Sequence, residues 1–314
     1  MKAIAVIKLG APAEMIDVET PTPAAGEIRV RLRAAGVNPV DGKSASGAYG
    51  QVTVPSIPGV DGAGVVDMLG EKSRRFVVGD RVFGRLGHPG RGTFAQYVVV
   101  PESGMIARIP DGLDFGIAAA LPVAGLTALG VLRELALSPG ARLLVIGATG
   151  GVGVFLTQLA ARDGLEVIAT ARPELAERAR RLGASAIIDH TSSVALPDQL
   201  SALGVTQLDA LVDLVGDKQL ADALSALLQP GGKAISTAGG IDPEKLSLRQ
   251  IRGSLYRGQP TIEMLEELGT LVQSGEITVP IERELSLADA PQALEESRSG
   301  HSHGKTILRI SVSD

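Results

Sequence analysis

The feature that most constrains the fold is a cluster of glycines between two apolar runs, within residues 143–161, which read LLVIGATGGVGVFLTQLAA. The first run has the length of a buried strand, and the second has the length of a helix. Glycines at such a junction let the backbone turn sharply and let the helix pack close to the strand. The beginning of the helix then presents free N–H groups and a partial positive charge, which suit phosphate groups.

The glycines are spaced G-x-x-G-x-x-G, which departs from the commoner G-x-G-x-x-G of dinucleotide-binding turns. The pattern predicts a site for the pyrophosphate of a dinucleotide, with a tight turn that binds no ligand as the alternative. Contacts to the cofactor are expected from Ala148, Thr149, Gly150, Gly151, Val152 and Gly153.

The rest of the chain after about Pro122 alternates short apolar runs with helical segments. This alternation predicts βαβ units and an α/β fold with a doubly wound parallel sheet, buried on both faces. A helix is expected over Glu174–Leu182, ended by Gly183. Strands are expected at residues 143–146, 166–170, 186–189, 208–213, 233–237 and 277–281.

The first 120 residues have a different, β-rich pattern. Residues Glu27–Ala34 alternate apolar and charged side chains, which is the period of a half-buried strand. Turn-forming Pro, Gly and Asp residues separate this run from further β-branched runs. At the other end of the chain, a helix after Ser286 and a strand at Lys305–Ile310 are expected.

The composition excludes several classes of site and partner. The 314 residues include no cysteine, so disulfides, a thiolate nucleophile, iron–sulfur clusters and cysteine-ligated zinc are ruled out. Thirty basic and 35 acidic residues give a net charge of −5, without a basic block. Neither nucleic acid nor an acidic membrane surface is therefore an expected partner.

Two uncharged stretches, Phe115–Leu132 and Leu143–Ala161, are nearly long enough to span a bilayer. Both contain several glycines and the first also contains Pro122, and a turn exposed to lipid would leave backbone groups unpaired. Both are therefore interpreted as buried segments of a folded protein. The apolar run between Lys2 and Lys8 is too short for the core of a signal peptide, so a cytoplasmic protein is expected.

The end of the second predicted parallel strand bears on the choice of cofactor. Sites for NAD usually carry an acidic residue there, on the ribose 2′-hydroxyl. Here the chain reads IATARP over residues 168–173, and Arg172 stands beside the position of the missing acid. A guanidinium suits a 2′-phosphate, so NADPH is predicted as the cofactor, with Arg178 one turn further as a second cation. Glu174 weighs against this, and a solvated loop arginine is the alternative.

Seven segments, in the right order over almost the whole chain, resemble one protein family. The chain is similar to the medium-chain dehydrogenase/reductases, in the zinc-free quinone oxidoreductase branch that includes zeta-crystallin. The segments are AAGVNPVD at 34–41, IPGVDGAG at 57–64, VGDRVF at 78–83, GTFAQY at 92–97, LPVAGLTA at 121–128, the 147–153 turn, and GKTIL at 304–308.

The resemblance implies an architecture. A GroES-like catalytic domain would comprise residues 1–122 and 284–314, with a Rossmann NADPH-binding domain at residues 123–283 inserted between its two parts. Members of this branch are mostly homodimers, so a homodimer is expected.

The resemblance also implies site residues. Asn38, Asp41 and Tyr49 match positions that line the nicotinamide and substrate cleft, and these are the expected catalytic residues. Asn38 is also expected to contact the cofactor and to donate to the acceptor carbonyl, while Tyr49 would donate its hydroxyl or stack on a flat substrate. Purely structural roles for Asn38 and Asp41 are the alternatives. Thr127 matches a threonine on the nicotinamide side of the cofactor.

Residues that follow the later parallel strands complete the expected cofactor site, because ligands lie beyond the carboxyl ends of such strands. His190 follows the third strand, where relatives often have tyrosine. The pairs expected to line the nicotinamide pocket after the fourth and fifth strands are Leu214 and Val215, and Ala238 and Gly239.

The zinc ligands of related dehydrogenases are not matched. Zinc-dependent relatives have a cysteine in place of Asn38 and a His-Glu pair in place of Val60-Asp61. The histidines, which are His88, His190, His301 and His303, supply no evident set of three ligands, so no metal is predicted. Without a Lewis acid, the expected substrates are quinones or α,β-unsaturated carbonyls, which accept hydride readily.

Two other functions stay open. An enoyl-thioester reductase of polyketide or lipid synthesis would need a long groove and a general acid, and the sequence identifies neither. A non-catalytic NADPH-binding sensor is the second alternative, since no proton donor stands out.

Overall fold

The computed structural model describes residues 1–47, 53–298 and 304–311. The chain forms two compact units. Unit 1 comprises Met1–Leu126 and Pro260–Asp314, and unit 2 comprises Thr127–Gln259. The units divide at 126/127 and 259/260, whereas the expected domains divide at 122/123 and 283/284.

The helices and strands follow one another along the chain, with two short 3-10 helices at Pro173–Leu175 and Leu287–Asp289. In chain order they are β1 (Lys2–Ala5), β2 (Glu14–Asp17), β3 (Glu27–Val37), α1 (Pro39–Ala45), β4 (Asp61–Leu69), β5 (Arg81–Arg85), β6 (Tyr97–Pro101), β7 (Ile106–Arg108), α2 (Phe115–Ala119), α3 (Pro122–Leu135), β8 (Arg142–Ile146), α4 (Gly153–Arg162), β9 (Glu166–Thr170), α5 (Ala176–Arg181), β10 (Ala186–Ile188), α6 (Leu196–Ala202), β11 (Leu208–Asp213), α7 (Lys218–Ser225), β12 (Leu228–Ser236), α8 (Pro243–Ser247), β13 (Arg252–Leu255), α9 (Ile262–Gln273), β14 (Ile281–Ser286), α10 (Ala290–Arg298) and β15 (Lys305–Arg309).

Unit 1 is built on a sheet with strand order β14-β15-β3-β4-β5-β7, in which β6 also pairs with β3. The alternation predicted for β3 is confirmed, because Ile28, Val30 and Leu32 are fully buried in the core of this unit. The register pairs Gly36 with Asp61 and Val37 with Thr306. The end of β3 and the beginnings of β4 and β15 therefore meet at one place in the sheet.

Unit 2 contains six parallel strands in the order β10-β9-β8-β11-β12-β13. The alternation of strands and helices predicts five of them, whereas β13 is not among the predicted strands. The order runs outward in one direction from β8 and in the other from β11. Ligands of such sheets bind where the order reverses, beyond the carboxyl ends of the two central strands. The predicted cofactor turn, which follows β8, lies at this point.

Several predicted elements differ from the structure in their limits, β12 among them, which begins at Leu228 and not at 233. The strand expected at residues 277–281 is wrong, because β14 begins only at Ile281. Ile277 is buried, and its N–H donates to the carbonyl of Leu271 at the end of α9, while Pro280 has no N–H to give to a ladder. The helix expected over 174–182 begins with a 3-10 turn, and its α-helical part covers only Ala176–Arg181.

The two uncharged stretches fold as short buried elements. Residues 115–132 form α2 and most of α3, while residues 143–161 form β8, the turn and most of α4. Among the described residues no helix is long and apolar enough to cross a membrane.

Candidate cofactor site and a buried polar cluster

The glycine-rich turn of unit 2 has the predicted strand–turn–helix form. Gly147 follows β8 with a φ of +87°, a conformation that favours glycine. Its N–H donates to the hydroxyl of Thr170 at the end of β9, at 3.2 Å. At the first residue of α4, Gly153, a Cβ would lie 2.1 Å from the carbonyl oxygen of Gly147. Any side chain there would push the helix away from the turn.

Backbone donors of this turn are available to a ligand. Among the described residues, none accepts a hydrogen bond from the N–H groups of Gly151 and Val152. They stand directly before α4, whose ten residues contribute a helix dipole. Ala148 and Thr149 are buried and form the base of the turn. These residues fit the pyrophosphate of a dinucleotide.

The structure brings together the turns that follow three strands of unit 2. A Cβ at Gly147 would lie 2.8 Å from a side-chain methyl of Val215, and one at Gly216 would lie 2.8 Å from the carbonyl of Ala238. Leu214, Val215, Ala238 and Gly239 thus lie at one edge of the sheet, beside the glycine-rich turn. Val215 is 58% exposed, which is unusual for valine and leaves apolar surface at this edge.

The backbone N–H groups of these turns donate to the side chains of Asp213 and Ser236, and Ser236 donates to Asp213. Neither residue is among those expected from the sequence. Each is the last residue of its strand. A polar side chain at the carboxyl end of a parallel strand is the only signal in the sequence that could have found them.

Arg172 and Arg178 lie on the segment after β9, as expected from the sequence. Arg172 is exposed at the entrance to the 3-10 turn. Arg178, in α5, is partly buried, and its Nε has no hydrogen-bond partner among the described residues. A buried guanidinium nitrogen without an acceptor fits an anionic ligand such as a 2′-phosphate.

The other expected cofactor contacts are less distinctive. His190 follows β10 and is exposed. Thr127 is half-buried in α3. Neither residue has a geometry that by itself points to a ligand.

Unit 1 contains a buried cluster of Asn38, Asp41, Asp61 and Lys305, whose residues are at most 3% exposed. Lys305 Nζ donates to Asn38 Oδ1 at 2.5 Å, and Asn38 Nδ2 donates to Asp61 Oδ2 at 2.9 Å. Asp41 accepts from the backbone N–H of Asn38 at 2.7 Å and of Val60 at 3.0 Å. The amide of Asn38 therefore links the ammonium to one carboxylate.

Burial dominates the electrostatics of this cluster. It raises the pKa of Asp41 from 3.8 to about 7, with Asp61 as a second cause. It also raises the pKa of Asp61 to about 6, although Lys305 opposes that shift. Burial lowers the pKa of Lys305, while the two aspartates act against this. Each charge is thus tolerated only because its opposite lies beside it.

Of the three expected catalytic residues, the structure places Asn38 and Asp41 in this cluster. Asp41 holds the backbone of Asn38 at the beginning of α1. Tyr49 lies outside the described residues, as do His301 and His303. From the sequence, Lys305 is expected only as the first residue of the last strand.

The cluster does not fit a zinc site. The side-chain oxygen of Asn38 already accepts from the ammonium of Lys305. A catalytic zinc takes three protein ligands. Within residues 1–47, 53–298 and 304–311, no group of three or more His, Asp or Glu side chains is arranged to hold a metal ion.

Comparison with known proteins supports a β-rich GroES-like unit and a Rossmann-like unit in this chain. Residues 24–111 match the family model of the alcohol dehydrogenase GroES-like domain, and residues 182–308 match that of zinc-binding dehydrogenases. A quinone oxidoreductase of Pseudomonas aeruginosa is 32% identical over 311 residues, which cover 94% of either chain. The solved structure of the quinone oxidoreductase from Coxiella burnetii is 31% identical, covers 99% of both chains and has a TM-score of 0.89.

A relative of a different kind is the pikromycin polyketide synthase component PikAII of Streptomyces venezuelae. It is 38% identical over 226 residues, which cover 70% of this chain but only 6% of that protein.

A GroES-like β unit with a parallel-sheet nucleotide-binding unit between its two parts is the architecture of a nicotinamide-dependent oxidoreductase. The chain belongs to the quinone oxidoreductase family of the medium-chain dehydrogenase/reductase superfamily. It is therefore an oxidoreductase, and its family implies a nicotinamide cofactor.

Proposed function

We propose that this oxidoreductase uses NADPH, without zinc, to reduce a quinone or an activated alkene such as an α,β-unsaturated carbonyl compound. When bound, the nicotinamide supplies hydride. The observation that carries the proposal is the buried Lys305–Asn38–Asp61 chain of hydrogen bonds, at the position where zinc-dependent relatives have metal ligands.

Among the described residues no set of side chains fits zinc, which favours an acceptor that needs no metal. Alcohol oxidation needs a group that stabilises the developing alkoxide, and in the zinc-dependent relatives the metal serves as that Lewis acid. Here a buried ammonium supplies the positive charge instead, and the aspartates and Asn38 hold it in place. A quinone or enone needs no metal, because its carbonyl oxygen gains charge that hydrogen-bond donors can stabilise.

The glycine-rich turn and the two arginines after β9 would bind the phosphate groups of the cofactor. The N–H groups of Gly151 and Val152 would bind the pyrophosphate. The Nε of Arg178, which has no partner within the described part of the chain, would bind the 2′-phosphate together with the exposed Arg172 and favour NADPH over NADH. Val215 would cover one side of the nicotinamide and keep water from it.

At the substrate end, Asn38 and Tyr49 are the proposed donors. The amide of Asn38 has two N–H groups, and only one is needed for Asp61. The other would donate to the acceptor carbonyl, while Asp41 fixes the backbone that carries it. Tyr49 would donate its hydroxyl or stack on the ring of the substrate.

A panel of acceptors tests this function. Oxidation of NADPH and of NADH is measured with quinones, enones and enoyl thioesters. We expect turnover of NADPH with quinones or enones and a preference for NADPH over NADH. Tight NADPH binding without turnover of any acceptor would contradict the enzymatic proposal and favour a sensor.

An enoyl-thioester reductase is the second candidate, favoured by the match to a segment of a polyketide synthase. In the same panel, a kcat/KM for enoyl thioesters well above that for every quinone and enone would favour it. The oligomeric state is tested separately: light scattering should give twice the mass of the chain, as expected for a homodimer.

A further inference from the structure

The carboxylate of Asp213 is fully buried at the end of β11, and both of its oxygens accept hydrogen bonds. Its Oδ1 accepts from the N–H groups of Val215 at 3.0 Å and Gly216 at 2.9 Å. Its Oδ2 accepts from the hydroxyl of Ser236 at 2.6 Å and from the N–H of Gly240 at 3.0 Å. One side chain thus meets four donors from two turns.

Ser236, 1% exposed at the end of β12, extends this network. While it donates to Asp213, its oxygen accepts from the N–H groups of Ala238, Gly239 and Gly240, at 2.7–3.1 Å. The backbone N–H of Thr237 also donates to the carbonyl of Asp213, at 3.0 Å.

The chemistry of these contacts requires a carboxylate. An ionised aspartate only accepts, and every group that faces Asp213 donates. Hydrogen bonds between backbone N–H groups and a charge are stronger than neutral ones. An asparagine of the same shape would turn an NH₂ group toward two of these donors, whichever way its amide is oriented.

The turns that Asp213 and Ser236 hold carry the residues at the nicotinamide end of the site. Val215 lies beside Gly147 of the phosphate-binding turn, and Gly216 lies against Ala238. Gly216 and Gly239 both have positive φ angles, +88° and +83°, a backbone conformation that favours glycine.

We propose that Asp213, together with Ser236, is a positioning residue that fixes the two turns against which the nicotinamide ring lies. The inference rests on the proposed cofactor site. It assigns to Asp213 no contact with the cofactor itself. Its loss should therefore weaken the nicotinamide end of the site and leave the adenosine end intact.

The test compares Asp213→Asn and Ser236→Ala with wild type, using two probes. One is NADPH, and the other is 2′,5′-ADP, which carries the adenosine half and the 2′-phosphate but no nicotinamide. Asp209→Asn is the matched control, because Asp209 lies on the same strand and accepts from the N–H of Arg142 and the amide of Gln229 at its opposite end.

We expect Asp213→Asn to raise the Kd for NADPH by about tenfold and to lower kcat, with the Kd for 2′,5′-ADP unchanged. Ser236→Ala should also raise the Kd for NADPH and lower kcat, and it provides the test if Asp213→Asn does not fold. Asp209→Asn should change neither Kd.

Two results would overturn the inference. One is NADPH binding and kcat at wild-type values in both Asp213→Asn and Ser236→Ala. The other is an equal loss of affinity for NADPH and 2′,5′-ADP, which would indicate general loss of structure. Failure of the wild-type protein to bind NADPH would instead overturn the proposed function, and the inference with it.

Discussion

At the scale of single residues, two buried cationic groups differ in the hydrogen-bond acceptors that the described residues provide for them. Arg178 and Lys305 illustrate the two situations. The Nε of Arg178 is buried without an acceptor among the described residues, whereas the ammonium of Lys305 is enclosed by Asn38 and two aspartates. The first arrangement leaves a donor that an anion could satisfy, and the second places a charge inside unit 1.

Removal of either arginine at the proposed 2′-phosphate site should reduce the preference for NADPH over NADH. Arg178→Ala and Arg172→Ala are each expected to raise the Kd for NADPH about tenfold, because a charge-assisted hydrogen bond is lost, and to leave that for NADH unchanged. Titration calorimetry with both nucleotides measures this. Arg180→Ala is the control, since Arg180 is exposed on the same helix and pairs with Glu177. An equal loss of affinity for both nucleotides would refute the assignment.

Lys305→Met should destabilise the protein by about 3–5 kcal/mol near neutral pH, because it leaves two buried carboxylates without their cation. The pKa values of Asp41 and Asp61 lie above 3.8 in the folded state, at about 7 and about 6. The folded protein therefore binds more protons than the unfolded chain between these limits. The stability that these groups contribute is full below the unfolded value and is lost as the pH rises through 6 and 7.

Because Lys305 opposes these shifts, its removal should raise both pKa values further and make the variant's loss of stability with pH steeper. Thermal unfolding at pH 5 and pH 8 measures the difference from wild type, which we expect to be larger at pH 8. Lys245→Met, which removes an exposed pair with Asp222, should change stability little at either pH. A destabilisation by Lys305→Met that is independent of pH would contradict the described cluster.

At the scale of elements, the sequence predicted the parallel strands of unit 2 best. The predicted limits of 166–170 and 208–213 agree with β9 and β11, because strands buried on both faces are continuous apolar runs. The same criterion wrongly predicted a strand at residues 277–281. Its apolar residues pack after a helix, and a short apolar run does not distinguish that situation from a strand.

The contact between α4 and the turn after β8 depends on Gly153. Gly153→Ala should lower the free energy of unfolding by about 1–3 kcal/mol, because the new methyl group would meet the carbonyl of Gly147. The displaced turn should also lose affinity for NADPH. Gly125→Ala is the control, since its methyl group would meet only the flexible end of Leu268. Wild-type stability and affinity of Gly153→Ala, measured by denaturant unfolding and nucleotide titration, would show that the close approach is not needed.

At the scale of the whole molecule, the order of motifs was sufficient to predict the architecture, but the site was predicted only in outline. The turn residues could be named because their spacing is local. The hydrogen bond between Lys305 and Asn38 joins residues 267 positions apart, and no pattern of spacing indicates it. The link between Asp213 and Ser236 depends in the same way on which strands become neighbours.

Transfer of hydride from NADPH to a quinone without a metal is the proposed activity of this chain. The most direct measurement is the rate of NADPH oxidation with a quinone before and after exhaustive treatment with a chelator, with the metal content determined for the same samples. The account predicts turnover that is unchanged by metal removal and by added zinc. Activity that is lost with the metal and restored by zinc would contradict it, as would failure to oxidise NADPH with every quinone tested.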